Sequence, residues 1–337
     1  MKTATTLAPL TLSHRREAML MREPFRISGY VFESMPAVIT TVSDGAFAGR
    51  GEAAGVYYLH DDPEHIAGEI ERCRAAIEAG IDRQALRALL PPGGARNALD
   101  CALWELESLR AGVPVWQLAG VAAPKPLITT FTLPADDPAE ILRRLDALPP
   151  AKAIKLKLDG DLAADRERVR AVRAARPDVW LGVDANQGYG GDDLDGLVAM
   201  LVDQQVSLLE QPIRRGEEAL LDGWRSPIPV AADESVLDLA ELDAQRHRFQ
   251  VINIKLDKCG GLTEGLMMAE HARALGLKVM VGNMAGATLS TAPAFVLGQL
   301  CDIVDLDGPW FLLDDPLAAG LYTDGEVMVP ARLWGAA

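Results

Sequence analysis

A chain of 337 residues with 49% apolar side chains is long enough for two domains, or for one large α/β barrel with an addition, and too apolar to stay disordered. Its formal net charge of −15 argues against nucleic acid as the main partner, while leaving the sign of any local pocket open. Cys73, Cys101, Cys259 and Cys301 lie far apart with no CxxC spacing, which argues against a disulfide framework or a zinc site and for single buried thiols.

Met1–Leu10 has one lysine and no apolar stretch of the kind a secretory leader carries. No uninterrupted apolar run reaches the roughly 18 residues of a transmembrane helix. A soluble cytoplasmic protein without membrane contact is therefore expected.

Arg16–Met21 and Ala37–Val42 read as strands, and Ser43-Asp44-Gly45 turns the chain into a third strand, Gly49–Ala54. Between the first two, Arg22–Ser34 mixes aromatics, arginines and glycine without clean alternation. It reads as a surface loop, or more sharply as a lid over a site. Helical spacing follows over Pro63–Ala79, Asp82 caps a short helix to Leu90, and Pro91-Pro92-Gly93-Gly94 breaks the chain before a helix over Ala95–Ala111. Residues 1–121 thus make an α+β capping domain.

From Leu127 the pattern changes to strand then helix, repeated. The strands are Leu127–Leu133, Ala153–Leu158, Trp180–Asp184, Val206–Glu210, Ile228–Ala232, Val251–Lys255, Lys278–Val281 and Asp302–Asp305. Pro138–Leu148, Ala163–Arg176, Asp193–Gln204 and Leu262–Leu275 are among the helices between them, and Ala285–Leu300 is a helix interrupted by glycine and proline. Eight strands in alternation predict a (β/α)8-type barrel over 122–316, and no GxGxxG opens a helix as a doubly wound dinucleotide sheet would require. In the last segment, 317–337, a hairpin turning at Thr323-Asp324-Gly325 is expected to fold back on the capping domain and complete it.

One strand contradicts its own pattern. Lys155 and Lys157 point to the same side of Ala153–Leu158, where an apolar interior is expected. Active sites of such barrels lie at the C-terminal ends of the strands. There the chain carries Thr132, Asp184 with Asn186 and Gln187, Glu210 with Gln211, Asp233 with Glu234, Lys255, and Asp305 with Asp307. A lone aspartate at a strand end is usually a helix cap. Asp184, Glu210 and Asp233 on consecutive strands, with lysines on the strands before and after, are not explained by capping. Three converging carboxylates form an oxygen-rich site for one hard divalent cation per subunit, most naturally Mg²⁺. Lys157 and Lys255 then face a bound substrate from opposite sides, with Lys155 able to tune Lys157 and meet a substrate carboxylate. That set suits proton abstraction alpha to a carboxylate through a metal-stabilised enediolate, and one base on each face gives epimerisation or racemisation.

These residues resemble the enolase superfamily, muconate-lactonizing subgroup, over nearly the whole chain: Lys155-Leu156-Lys157, Val183-Asp184-Ala185-Asn186-Gln187, Leu209-Glu210-Gln211-Pro212, Ala232-Asp233-Glu234-Ser235 and Asn253-Ile254-Lys255. The resemblance implies Asp184, Glu210 and Asp233 as Mg²⁺ ligands and Lys157 and Lys255 as the acid/base pair. Asp305-Leu306-Asp307 resembles the motif with which dipeptide epimerases hold a substrate's α-ammonium group, and Thr132 falls where they contact substrate. The implied activity is inversion of the C-terminal residue of a dipeptide, first of all L-Ala-D/L-Glu in murein peptide salvage, with homo-oligomerisation left open. N-acylamino acid racemase, o-succinylbenzoate synthase and muconate cycloisomerase are the alternatives within the superfamily. Gly29-Tyr30-Val31-Phe32 and Gly55-Val56-Tyr57-Tyr58 are more aromatic than the resemblance suggests. They leave open whether the second residue is hydrophobic or is a glutamate paired with Arg26.

Overall fold

The computed structural model describes residues 9–27, 30–318 and 320–337. The reading of Met1–Leu10 falls almost wholly outside them, as does Gly29 of the expected loop. Thr11–Ile27 (β1) and Tyr30–Ser43 (β2) form a long antiparallel hairpin, and Ala48–Ala53 (β3) pairs on the other side of β2. Residues 22–27 and 30–34 are therefore strand rather than loop, while Ser28 and Gly29 lie outside the described residues. The register slips between Leu20 and Phe25, around Pro24, which has no N–H to donate, and this slip hides the alternation in the sequence.

Two aspartates start the first helices. Asp62 accepts from His65 N (2.9 Å) ahead of Pro63–Glu78 (α1), and Asp82 accepts from Ala85 N (2.7 Å) ahead of Arg83–Leu89 (α2). Gly94–Ala111 (α3) ends on Gly112 in the left-handed conformation (φ 62°). Val38 and Val42 of β2 meet Ile66 and Ile70 of α1 and Leu99 and Leu103 of α3 in one core. β3 lies so close to α3 that a Cβ on Gly51 would sit 2.0 Å from the Ala98 carbonyl oxygen, so only glycine fits.

The expected strand Leu127–Leu133 is two pieces, Leu127–Ile128 (β4) and Thr130–Leu133 (β5), because the chain changes sheets at Thr129. After β5, seven parallel strands follow in order: Ala153–Lys157 (β6), Trp180–Asp184 (β7), Leu208–Glu210 (β8), Val230–Ala232 (β9), Val251–Lys255 (β10), Lys278–Gly282 (β11) and Ile303–Val304 (β12). They pair in chain order from β5 to β12 as a nearly closed barrel with helices between. Between β12 and β5 the described residues show no backbone ladder. Side chains join them instead: Thr132 N donates to Asp307 Oδ2 (2.7 Å), Leu306 N to Thr129 Oγ1 (2.9 Å), and the Thr130 hydroxyl to Asp305.

The Asp324-Gly325 turn does make a hairpin, with both residues at positive φ, joining Tyr322–Thr323 (β13) to Glu326–Val327 (β14). It pairs with β4 rather than with the capping domain. The return to that domain is made further on, where Trp334 Nε1 donates to Arg50 O (3.0 Å) and Ala336 N to Ser108 Oγ (2.9 Å). The capping domain docks through α3: Asp100 accepts from Thr263 N (2.9 Å) and its hydroxyl (2.5 Å), and Arg96 donates to Cys259 O (2.5 Å). Among the described residues no helix is long and apolar enough to cross a membrane.

Candidate active site

Strand parity assembles the site. On β6, Ile154 and Leu156 pack outward into the apolar core while Lys155 and Lys157 turn into the barrel mouth. Register places Lys157 beside Asp184 and Asp184 beside Glu210, and Asp233 stands one residue beyond β9. Asp184, Glu210 and Asp233 are all buried, and one oxygen from each lies within 4.8 Å of the others. Glu210 Oε1 accepts from Asn253 Nδ2 (2.6 Å), whereas its Oε2 has no hydrogen-bond partner. Burial, with Asp184 alongside, pushes the Glu210 carboxyl up to about 7. A buried triad of hard oxygen donors, one of them unpartnered, fits a divalent cation.

The lysines meet these acids directly. Lys157 Nζ is 2.6 Å from Asp184 Oδ2 and Lys255 Nζ is 2.7 Å from Asp233 Oδ2, while Lys155 contacts Asp305 and lies 3.6 Å from Glu210 Oε2. A neighbouring cation would disfavour an ammonium. Around Lys155 and Lys255 burial does oppose the charge, but the surrounding carboxylates overrule it and hold both well above the ordinary lysine value. A dication on the triad would compete for the same acids.

Asp305 and Asp307 line the mouth opposite the triad, together with Thr132. Burial works against ionised Asp305, yet Lys155 and the Thr130 hydroxyl hold its carboxyl below the usual range. Asp307 is pushed up to about 7 by burial and by Asp305. Its Oδ2 accepts from Thr132 N, and hydrogen bonding by Thr132 works against the rise.

Above this polar floor the cavity, about 710 Å³ with its mouth, is roofed by Phe25, Phe32 and Met35 of the hairpin and by Tyr57. Arg26 departs from expectation. It sits one residue from the inward Phe25, so strand parity turns it away from the cavity, where it is exposed and 3.4 Å from Asp136. Residues the sequence reading leaves without a role also belong here. Glu234 lines the cavity with an unpartnered Oε2, and burial pushes its carboxyl up to about 8. Lys258 is buried and donates to Asp233 Oδ1 (2.6 Å), Asp233 O (2.5 Å), Asn253 O (3.0 Å) and Val236 O (3.1 Å). The one signal for it is its place three residues after Lys255, within the short helix Leu256–Cys259. Asn186 (φ 40°), Gln187 (φ 66°) and Gln211 (φ 36°) hold left-handed backbone at the strand ends, which asparagine tolerates better than most residues and which strains the two glutamines.

Fold and site define a class. The mandelate racemase / muconate lactonizing enzyme N-terminal domain matches residues 11–120 and the enolase C-terminal domain-like family residues 139–332, so the chain belongs to this family of the enolase superfamily. Among relatives, it is 34% identical over 313 residues to the L-Ala-D/L-Glu epimerase of Escherichia coli K12, covering 92% of this chain and 97% of that one. It is 34% identical over 307 residues to the N-acetyl-D-glutamate racemase of a Pseudoalteromonas species (89% and 95% covered). Its structure matches, at TM-score 0.92 and 35% identity, an enolase family member from Agrobacterium tumefaciens with homology to dipeptide epimerases, solved with sodium and L-Ala-L-Glu (97% and 100% covered). At TM-score 0.87 and 27% identity it matches the dipeptide epimerase of Methylococcus capsulatus complexed with Mg and L-Arg-D-Lys (96% and 97% covered).

Proposed function

We propose that this chain is a Mg²⁺-dependent dipeptide epimerase that inverts the α-carbon of the C-terminal residue. The observation that carries the reading is a buried carboxylate triad, of which Asp233 lines the cavity, set between two lysines, with a pair of aspartates on the opposite wall. Asp184, Glu210 and Asp233 would hold one Mg²⁺. Bound there, the cation supplies the Lewis-acid stabilisation that a weak carbon acid next to a carboxylate needs.

The chain's own residues do the rest. Lys157 on β6 and Lys255 on β10 stand on opposite sides of the barrel, with β7, β8 and β9 between them. One takes the α-proton from its face and the other returns a proton to the far face, which inverts the centre. Lys155, held charged by its carboxylate neighbours, is the fixed cation facing the substrate carboxylate, with Thr132 beside it. An α-ammonium bridging Asp305 and Asp307 offsets the burial and the repulsion from Asp305 that raise Asp307.

An N-acyl substrate, as for the N-acylamino acid racemases, brings no such cation to Asp307, and neither do the substrates of o-succinylbenzoate synthase or muconate cycloisomerase. The E. coli and A. tumefaciens proteins make L-Ala-L-Glu the first dipeptide to test. A cytoplasmic role in murein peptide salvage goes with that choice, as does the division into a capping domain (1–121), a barrel (122–316) and a returning tail (317–337). The deciding measurement is deuterium incorporation at the C-terminal α-carbon in D₂O with Mg²⁺. Exchange in L-Ala-L-Glu or another L,L-dipeptide supports the reading, and exchange confined to N-acetyl-glutamate overturns it.

A further inference from the structure

We infer that the side chain of the inverted residue enters an apolar, aromatic-walled subsite beneath the β1–β2 hairpin, so that dipeptides ending in a hydrophobic residue are preferred to those ending in an acid. This rests on the dipeptide-epimerase reading and adds the substrate class to it.

Strand order sets the directions available in the barrel mouth. The triad occupies the ends of β7–β9, the aspartate pair lies across from it at the β12–β5 seam, and Lys157 and Lys255 take the two remaining sides. Consider an α-carbon between the lysines, with its carboxylate toward the triad and its nitrogen toward the seam. Its remaining bond, the one to the side chain, runs along the barrel axis. Toward the barrel interior it meets a packed plug of Leu208, Ala231, Val251 and Met280, none more than 1% exposed. The side chain therefore points outward, to the roof.

That roof is apolar. Phe32 packs edge-on against Tyr57 (ring centroids 5.3 Å), Phe25 lies against Phe311 (5.0 Å), and Met35 and Met284 fill between. No arginine lines the cavity among the described residues: Arg26 faces Asp136, and Arg22 donates to Trp310 O (3.0 Å). Each lining lysine already touches a carboxylate. A glutamate side chain sent to this roof finds no free cation among the described residues, so desolvating it goes uncompensated. A leucine or phenylalanine there buries its surface against aromatic rings and methionines.

The test uses the full-length protein loaded with Mg²⁺ and measures α-deuterium exchange by proton NMR with L-Ala-L-Leu, L-Ala-L-Phe and L-Ala-L-Glu. The expected kcat/KM for the first two exceeds that for the third by about tenfold or more. Phe32→Arg supplies a cation at the roof and is expected to raise the Glu-to-Leu ratio by about tenfold. Phe25→Arg, at the position paired with it across the hairpin, makes the same test independently. Glutamate used as well as leucine by the natural protein overturns the inference and leaves the dipeptide reading standing, as does an unchanged ratio in both folded variants. Exchange with none of the dipeptides overturns both.

Discussion

Lys258→Met tests how much of the site's geometry is held from behind. Lys258 faces no substrate, and its side chain is 1% exposed. Its ammonium sits among Asp233 Oδ1 at 2.6 Å and three backbone carbonyls at 2.5–3.1 Å, so all its donors are used. Methionine matches the length and leaves those four oxygens facing hydrocarbon. Removing one member of a buried ion pair costs up to about 3–5 kcal/mol, and here four buried oxygens lose their donor while Asp233 keeps only Lys255, 2.7 Å away, as its cation. The expected result is a loss of that size in equilibrium guanidinium unfolding. Part of the penalty comes from Asp233, which loses one of the two lysines that hold it ionised against its burial, so Asp233→Asn should cost less in the Lys258→Met background than alone. The coupling expected from the double-mutant cycle is about 1–3 kcal/mol. A Lys258→Met midpoint equal to that of the natural protein, or additivity of the two changes within about 0.5 kcal/mol, would refute the positioning role.

Three further outcomes are expected. Lys157→Ala and Lys255→Ala each lower epimerisation by roughly 10²–10⁴-fold. One variant keeps α-proton exchange only for the L-residue and the other only for the D-residue; full epimerisation by either ends the two-base account. Glu52 is buried, accepts from Ala287 N (2.7 Å), and is pushed up to about 8 by that burial. Its folded pKa lies above its unfolded one, so the folded state binds more protons between them, and stability falls as pH rises from about 4.5 to about 8 at up to roughly 1.4 kcal/mol per pH unit. Glu52→Gln removes that slope, and denaturation curves at pH 5 and pH 8 that differ equally for both proteins would contradict it. Gly51→Ala forces a methyl onto the Ala98 backbone, where nothing flexible can yield, and is expected to destabilise by about 1–3 kcal/mol or more in thermal unfolding.

The barrel and the side chains gathered at its mouth were legible because they obey short-range rules. Period-two alternation on β6 turns both lysines inward, and each acid of the triad stands at or just past a strand end that its neighbours in sequence announce. The hairpin was not legible: Pro24 shifts the register inside it, so the parity that puts Phe25 in the cavity and Arg26 outside can be counted only once the strands are paired. Lys258 was missed for a related reason. In sequence it is one more lysine after a strand, and only the Leu256–Cys259 turn brings it back beneath Asp233. The tail hairpin was read correctly as a turn and sent to the wrong partner, since Asp324-Gly325 specifies a local bend and says nothing about which free edge receives it.

The seam between β12 and β5 gives the ligand a mechanical part. A ring of strands with one joint lacking a backbone ladder opens most readily there, and that joint is fastened by the same Asp305 and Asp307 that face the cavity. A ligand held by those two aspartates would steady the eighth-strand side of the joint and, through Thr130 and Thr132, its hold on the first strand, strengthening the scaffold in proportion to how tightly it is bound.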